Sequence, residues 1–258
     1  MTDLPRLRVV RLETIRRHEE IDPLRVERLS ERIGSDGIQA NPMVCIEAPG
    51  GDLVLLDGAT RTESLKKIDL THAVVQVVDP ETVTLDTWHH VVRGCTVDDL
   101  LDALSGAEHL RLVEETGAPS VLVRGRSPRH VLATDLTSNA TLSALVGGYT
   151  GRWNVTRTTD PRPESAEASF PDWAGIVEFP TLTIEDVMAA AVGDDLLPAG
   201  ITRFKVPERA LRLNIPLAML ASDRPLDDMQ ADLESVIEER ARAGRIRRYE
   251  EPVFILDD

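Results

Sequence analysis

The chain has few cysteines, few aromatic residues and no long apolar run. It contains 2 cysteines among 258 residues, Cys45 and Cys95, which do not form a CxxC pair. A CxxC-type metal site is therefore excluded, and a disulfide would be unusual in a reducing compartment. No apolar stretch approaches the roughly 20 residues that a membrane-spanning helix needs, and the first residues, 1–6, lack the apolar core of a signal peptide. We expect a cytoplasmic protein without a membrane partner.

Positive charge is also scarce. The chain has 29 Lys and Arg against 44 Asp and Glu, which gives a formal net charge of −15. Sequence-independent DNA binding depends on neutralising phosphates with a basic surface, so this balance argues against a DNA partner. The arginines between Arg240 and Arg248 form the nearest candidate basic patch. Hydrophobic residues make up 42% and charged residues 28%, which is the balance of a globular protein large enough for one domain or two.

The clearest local pattern runs from Leu53 to Ile68. A short apolar run of strand length breaks at Asp57-Gly58, and a segment with helical spacing follows at once. The pattern predicts a strand, a tight turn and a helix that begins at Ala59 or Thr60. The free backbone N–H groups at such a helix start favour a bound anion.

Polar side chains accompany this predicted helix start. The Thr60 hydroxyl and the Arg61 guanidinium would lie beside the free N–H groups, and an arginine fork suits phosphate oxygens. Asp57, at the end of the strand, could hold a divalent cation or a proton. In the alternative interpretation, Asp57 caps the helix and Arg61 is a solvated surface residue.

Two other segments carry titratable or aromatic side chains that packing does not require. His18, Glu19 and Glu20 precede a helix that Pro23 is expected to begin. They are either solvated loop charges or include a general base that faces the phosphate site. The segment Trp88-His89-His90 offers an aromatic face for stacking and two imidazoles, although a single aromatic residue is usually part of a core.

The hydrophobic pattern also predicts the remaining elements. We expect strands near residues 7–12, 41–46, 53–56, 73–78, 83–91, 121–123, 131–133 and 247–256, and helices near 24–33, 97–104, 136–146, 184–192 and 226–243. Gly147 and Gly148 are expected to end the 136–146 helix. Residues 158–171 have little apolar content and are predicted to be a linker or a mobile loop.

Several of these motifs occur in one order along the chain. Glu19 lies before a helix, an Asn41-Pro42-Met43-Val44 strand comes next, the Asp57-Gly58-x-x-Arg61 turn follows, then Thr87 to His90, and finally Gly200 to Pro207. This order resembles the ParB/sulfiredoxin-type fold. More narrowly, it resembles the free-serine kinases built on that fold, which include an archaeal ADP-dependent serine kinase and siderophore-cluster relatives.

The resemblance implies a mixed-sheet α/β (α+β) fold with two domains. Residues 1–92 would form a ParB/sulfiredoxin-like nucleotide-binding domain, and residues 93–258 a second mixed α/β domain. Residues 197–220 would return to complete the active cleft between the two. The implied activity is transfer of a phosphoryl group from ATP or ADP, with Mg²⁺, to the hydroxyl of free L-serine, which gives O-phospho-L-serine.

The resemblance also implies roles for particular residues. Glu19 would be the general base, and Asp57 would act in catalysis and hold the metal ion. The candidates for nucleotide or phosphate binding are Gly58, Ala59, Thr60, Arg61, Trp88, Thr202 and Arg203. The candidates for substrate binding are His18, His89, His90 and Arg212; for the serine carboxylate, Arg203 and Arg209 are alternatives to Arg212.

This chain departs from the family at three of the implied positions. Ala59, Thr60 and Phe204 stand where the kinases often have histidine. Either Thr60 and backbone groups replace those donors, or the activity differs. Two rival interpretations remain open: a ParB-like regulator or partition module that binds nucleotide and DNA, and a nucleotide-binding protein without catalysis. The sequence leaves a homodimer open.

Overall fold

The computed structural model describes residues 4–106, 110–113, 121–125, 129–133, 138–221 and 223–249. Its strands are β1 (Leu7–Arg11), β2 (Ile15–Arg16), β3 (Ile38–Gln39), β4 (Met43–Glu47), β5 (Leu53–Asp57), β6 (His72–Val77), β7 (Thr84–Thr87), β8 (His89–Arg93), β9 (Leu110–Val113), β10 (Val121–Arg124), β11 (Arg129–Ala133), β12 (Asn154–Thr158), β13 (Trp173–Glu178), β14 (Thr202–Lys205) and β15 (Ile215–Pro216). Its helices are α1 (Pro23–Asp36), α2 (Ala59–Lys67), α3 (Val97–Ser105), α4 (Asn139–Tyr149), α5 (Pro163–Ser169), α6 (Ile184–Gly193), α7 (Leu217–Leu220) and α8 (Leu226–Arg242).

Two sheets carry the fold. The first has the order β1-β6-β4-β5-β2 and mixes parallel and antiparallel pairs. The second has the order β12-β8-β13-β10-β11-β9 and is antiparallel at each described pair. Two short antiparallel ribbons, β14–β7 and β15–β3, attach residues 197–220, called the late segment below, to strands from earlier in the chain. The α/β fold with a mixed sheet, expected from the sequence, is confirmed.

The first sheet is buried on both faces. Successive side chains of each strand point to opposite faces of the sheet, and apolar residues occupy both. Met43, Cys45 and Leu55 point to the face covered by helices, where Leu65 of α2 and Leu233 of α8 belong to the same cluster. On the opposite face, the first sheet contributes Val44, Ile46, Val54 and Leu56 to a second apolar cluster. The same cluster contains Val92 and Val177 of the second sheet and Leu100 of α3. Burial of apolar side chains on both faces therefore connects the two sheets.

The predicted helix starts and ends are largely as the local chemistry requires. Helix α1 begins at Pro23, the Asp22 side chain accepts a hydrogen bond from the backbone N–H of Leu24, and Gly37 ends the helix with left-handed backbone. Helix α4, however, does not stop at Gly147-Gly148 as predicted but continues to Tyr149. A Cβ on Gly148 would lie 3.3 Å from Leu104 Cδ2, so that glycine allows α4 to approach α3 closely. Residues 136–137 lie outside the described ranges.

The predicted strand over residues 83–91 is two strands instead. The extended strand is interrupted at Trp88, whose backbone N–H donates to the Ile201 carbonyl at 2.9 Å. On one side of the break β7 pairs with β14, and on the other β8 lies inside the second sheet. The proposed domain division at 92/93 stays a prediction, and the structure places β8 with the later strands.

The predicted linker over residues 158–171 is wrong in its middle. Residues Pro163–Ser169 form α5, which Pro163 begins, and Ala166 is buried against Val91 and Ile176. Low apolar content misled the prediction, because one small buried residue is enough to dock a short helix. A terminal strand is predicted over residues 247–256. Residues 247–249 do not form a strand, and residues 250–256 lie outside the described residues. None of the described helices has the length and apolar content needed to cross a bilayer.

Candidate functional site

One cavity of about 250 Å³ gathers side chains from both sheets and from the late segment. It is lined by Glu19, Leu56, Asp57, Trp88, Arg157, Gly200, Thr202, Arg203, Phe204 and Arg209. Six candidate site residues from the sequence are therefore close together: Glu19, Asp57, Trp88, Thr202, Arg203 and Arg209. Such a cavity, with a few convergent polar groups, is the usual form of a small-molecule site.

The late segment closes the cavity by backbone hydrogen bonds. The backbone N–H of Leu197 donates to the His18 carbonyl at 2.8 Å, and the backbone N–H of Glu20 donates to the Leu197 carbonyl at 2.8 Å. The Ile201 carbonyl accepts from Trp88. Residues 197–201 thus join the loop before α1 to the break between β7 and β8.

Glu19 faces this cavity. Its Oε2 accepts a hydrogen bond from the backbone N–H of Gly200 at 3.1 Å. Because one carboxylate oxygen is held by the backbone, the orientation of the side chain is set by the position of Gly200. The general-base hypothesis requires Glu19 to face the Asp57 turn, and both residues line the same cavity.

Gly200 is required by its surroundings. Its φ is +86°, and a Cβ built on it would lie 2.0 Å from Nη2 of Arg157. The guanidinium of Arg157 therefore occupies the space that a side chain at position 200 would fill.

Arg157 itself was missed by the sequence interpretation. Partial burial lowers the pKa of its guanidinium, and the nearby Glu19 carboxylate opposes that shift. Within the described ranges no residue forms a hydrogen bond or ion pair with this guanidinium. Arg157 is thus a cation at the cavity, beside Glu19, that is available to an anionic ligand.

The Asp57 turn has the predicted form but not the alternative capping role. Helix α2 begins at Ala59 after Gly58, whose φ is +109°, and no side chain caps it. The interpretation in which Asp57 caps α2 is therefore wrong. Asp57 Oδ2 instead lies 2.7 Å from Nη1 of Arg209. The first turn of α2 thus keeps backbone N–H groups that no side chain caps, next to a carboxylate and an arginine.

Arg61 lies beneath this turn. Its Nη1 donates to the Pro42 carbonyl at 2.8 Å, and burial lowers the pKa of the guanidinium. A Cβ on Gly58 would lie 2.9 Å from this same Nη1. Arg61 is therefore neither a solvated surface residue nor part of the cavity lining; it supports the turn from behind. Ala59 is buried and Thr60 half-buried at the helix start.

Trp88 and Arg203 form one platform at the cavity. The guanidinium of Arg203 lies over the Trp88 ring, with Cζ 4.8 Å from the ring centroid. Asp86 holds this guanidinium with an Nη1–Oδ2 distance of 3.1 Å. Hydrogen bonds from Lys205, the Thr87 backbone and Arg203 lower the pKa of the Asp86 carboxyl. The platform therefore presents a fixed cation beside an aromatic ring.

His18 does not belong to the cavity lining that its predicted substrate-binding role requires. It is 1% exposed, its Nδ1 lies 2.6 Å from the Leu55 carbonyl, and its Nε2 lies 3.1 Å from Thr202 Oγ1. Burial lowers the pKa of the ring, so the neutral imidazole donates from Nδ1 to the carbonyl and accepts from the Thr202 hydroxyl. The predicted substrate-binding role of His18 is therefore replaced by a supporting one, in which its ring holds Thr202 at the cavity.

The other three predicted substrate-binding residues do not line the cavity either. His89 Nδ1 accepts from the backbone N–H of Phe179 at 3.2 Å. His90 is buried and bonds Tyr149 and Gly200. Arg212 lies in an exposed loop with φ +54°, and its backbone N–H donates to Asn41 Oδ1. The polar groups of His89 and His90 are directed to protein partners, which a sequence alone does not reveal.

A magnesium ion would find one firm protein ligand here. The described residues contain no cluster of three or more His, Cys, Asp and Glu that could hold a metal ion. Mg²⁺ commonly takes one or two carboxylates and completes its octahedron with phosphate oxygens and waters. The single carboxylate of Asp57, beside the α2 start, fits an ion that a nucleotide brings with it.

The fold is shared with solved kinases. The structure resembles C-terminally truncated SbnI from Staphylococcus aureus, with a TM-score of 0.76 and 23% identity, covering 91% of this chain and 97% of that one. It also resembles a free serine kinase in complex with AMP, with a TM-score of 0.74 and 17% identity, covering 85% and 95%. The chain therefore has the fold of the free serine kinases.

Sequence similarity extends over the same length. The chain is 24% identical to the ATP-dependent L-serine kinase SbnI of Staphylococcus aureus over 97% of both proteins. It is 26% identical to the ADP-dependent L-serine kinase SerK of Thermococcus kodakarensis, over 48% of this chain and 53% of that protein. No protein-family model matches the chain. The resemblance that the motifs indicated is thus confirmed by similarity along nearly the whole chain.

Proposed function

We propose that the protein is a small-molecule kinase that transfers a phosphoryl group from ATP or ADP to the hydroxyl of free L-serine. The observation that carries this proposal is the cavity itself, where Glu19 and Asp57 face the same space among Arg157, Arg203 and Arg209. The relatives named as L-serine kinases, one ATP-dependent and one ADP-dependent, support both the reaction and the open choice of donor.

Glu19 is the proposed general base. As the serine oxygen attacks, a bond forms from that oxygen to phosphorus, the bond from phosphorus to the leaving nucleotide oxygen breaks, and the hydroxyl proton passes to Glu19. The Gly200 N–H holds one carboxylate oxygen, and within the described part of the chain the other accepts no hydrogen bond, so it can approach the hydroxyl. The position of Glu19 in the cavity lining supports its role as the base.

The phosphate chain belongs at the start of α2. Backbone N–H groups there and the positive end of the helix dipole favour negative charge. Thr60 adds a hydroxyl, and the backbone replaces the imidazoles that Ala59 and Thr60 lack. Arg209 at Asp57 and Arg203 on Trp88 add cations. A bound Mg²⁺, held by Asp57 and phosphate oxygens, would neutralise charge that develops during transfer.

Arg157 is the proposed partner of the serine carboxylate. It lies at the cavity beside Glu19 and has no protein partner among the described residues, so an incoming carboxylate gains a charge-assisted hydrogen bond without breaking an existing one. Free serine carries its carboxylate and its hydroxyl only a few bonds apart. A cation next to the base therefore orients that hydroxyl toward Glu19.

The direct test is product formation. Incubation with L-serine, Mg²⁺ and either ATP or ADP should yield O-phospho-L-serine, detected by phosphorus NMR and mass spectrometry. Absence of product with both donors would contradict the proposal. Tight DNA binding measured in parallel would favour the regulator interpretation instead. A cytoplasmic location, where nucleotide and free serine coexist, and a homodimer both remain predictions.

A further inference from the structure

A buried imidazole connects the core of the second sheet to the cavity. His90 Nδ1 lies 2.7 Å from the Tyr149 hydroxyl, and His90 Nε2 lies 3.2 Å from the Gly200 carbonyl. His90 is 3% exposed and Tyr149 is fully buried. The backbone N–H of Gly200 in turn donates to Glu19. Three consecutive hydrogen bonds thus lead from Tyr149 to Glu19.

The direction of each hydrogen bond follows from the chemistry of the groups. A carbonyl oxygen only accepts, so His90 Nε2 carries the hydrogen that points to Gly200. Burial lowers the pKa of His90 to about 4, and a neutral imidazole has one N–H. His90 Nδ1 therefore accepts, and the Tyr149 hydroxyl donates to it. Tyr149 consequently selects the tautomer of His90 that can hold the Gly200 carbonyl.

Gly200 is held on three sides. Its carbonyl accepts from His90, its N–H donates to Glu19, and the Arg157 guanidinium covers its Cα. With a φ of +86°, this residue has backbone freedom that a side chain would remove. Without the donor from His90, the peptide plane between Gly200 and Ile201 loses its anchor, and the adjoining peptide that carries the Gly200 N–H is then held less firmly toward Glu19.

We propose that His90 and Tyr149 are positioning residues that act through Gly200 to hold the Glu19 carboxylate in its reactive orientation. The inference rests on the proposed function, because it assigns a reason for that orientation. A purely structural pair would need only to satisfy its own polar groups. This pair instead extends its hydrogen bonds to Gly200, whose backbone N–H holds the carboxylate of the proposed base.

Three variants test the pair by kinetics. Tyr149→Phe removes only the hydroxyl, and His90→Leu removes both ring nitrogens. We expect each to lower kcat for serine phosphorylation by about 10- to 100-fold, as small misplacements of catalytic groups do, with the KM for nucleotide unchanged. His90→Gln keeps an N–H within reach of the Gly200 carbonyl and should retain most of the wild-type kcat. His72→Leu, a buried histidine on β6 that does not line the cavity, is the matched control.

A spectroscopic measurement tests the pair without relying on turnover. In the wild-type protein, nitrogen NMR should show the Nε2–H tautomer of His90. The Gly200 amide signal should shift in Tyr149→Phe and His90→Leu toward its position in Glu19→Ala, which lacks the acceptor, but not in His72→Leu. If the wild type makes no phosphoserine while these shifts appear, the positioning holds and the proposed reaction fails.

Two results would overturn the inference. One is an unmoved Gly200 amide signal in folded Tyr149→Phe. The other is a loss of kcat in His90→Gln as large as that in His90→Leu. Should His90→Leu not fold, Tyr149→Phe and His90→Gln decide the matter, since both nearly keep the side-chain volume at the site.

Discussion

Nη1 of Arg209 lies 2.7 Å from Oδ2 of Asp57, so the carboxylate assigned to a metal ion already has a cation beside it. The pair is partly exposed, with 33% and 42% of the two side chains accessible. An incoming magnesium–nucleotide complex can therefore recruit both members, with Asp57 toward the metal ion and Arg209 toward phosphate oxygens. The ion pair links the late segment to the turn that is proposed to bind the phosphates.

Arg209→Gln should affect nucleotide binding far more than stability. An exposed ion pair contributes about 0–1 kcal/mol to the free energy of unfolding. Loss of a positively charged side chain that binds phosphate oxygens, by contrast, raises the KM for the phosphoryl donor. We expect about a 10-fold increase in that KM, which corresponds to roughly 1.4 kcal/mol. Steady-state kinetics and urea unfolding measure the two quantities. Arg212→Gln, in the same loop but outside the cavity, should change neither, and an equal effect of both variants would contradict the assignment.

Arg157→Gln should weaken recognition of the amino acid. Because the guanidinium is proposed to bind the serine carboxylate, the KM for L-serine should rise at least about 10-fold, the lower end of a charge-assisted contact, while the KM for nucleotide stays constant. Ethanolamine, which has the hydroxyl but no carboxylate, provides the control substrate. The variant and the wild type should use ethanolamine equally poorly; a wild-type enzyme that accepts ethanolamine as well as serine would refute the role.

Gly200→Ala should destabilise the protein and impair turnover together. The new Cβ would meet Arg157 Nη2 at 2.0 Å, and φ is +86°; left-handed backbone at a residue with a side chain costs about 1–3 kcal/mol. Gly151→Ala is the matched control, since its φ is +79° but nothing lies within 4 Å of the added Cβ. Thermal unfolding and kcat of both variants test this. Equal kcat values would show that the contact with Arg157 is unimportant.

Stability should fall in mild acid because of His90. Burial lowers its pKa from 6.5 to about 4 in the folded protein, so between these values the unfolded chain binds a proton that the folded chain does not. Its contribution is complete above pH 6.5 and is lost as the pH falls toward 4, by about 3 kcal/mol. Chemical unfolding across this range measures the slope. The slope should be shallower in His90→Gln, and an unchanged slope would argue against neutral burial of the ring.

Local sequence chemistry predicted the elements that hold the site. The Asp57-Gly58 turn into α2 and the start of α1 at Pro23 both appear in the structure. These features depend on turn, cap and strand signals that lie within a few residues of one another. Glu19, Asp57, Trp88, Thr202 and Arg203 therefore meet at the cavity as the motif order suggested.

The misses depend on contacts between distant parts of the chain. Arg157 belongs to a short polar strand without a motif, and only its pairing with β8 brings it to Gly200. His18 and His90 look like ligands in the sequence, but their nitrogens bond the Leu55 carbonyl, Thr202, Tyr149 and the Gly200 carbonyl. A backbone carbonyl gives no sign in a sequence that it will accept a bond from a histidine far away. The β-branched residues Val155, Thr156 and Thr158 are the signal that could have indicated the strand carrying Arg157.

The central claim is that Glu19 takes the proton from the serine hydroxyl. Glu19→Gln keeps the shape of the side chain and can still accept from the Gly200 N–H, but it cannot act as a base. We predict that the rate of O-phospho-L-serine formation falls by about 10²- to 10⁴-fold, while nucleotide affinity measured by calorimetry is unchanged. A Glu19→Gln variant that forms phosphoserine at the wild-type rate would contradict the account.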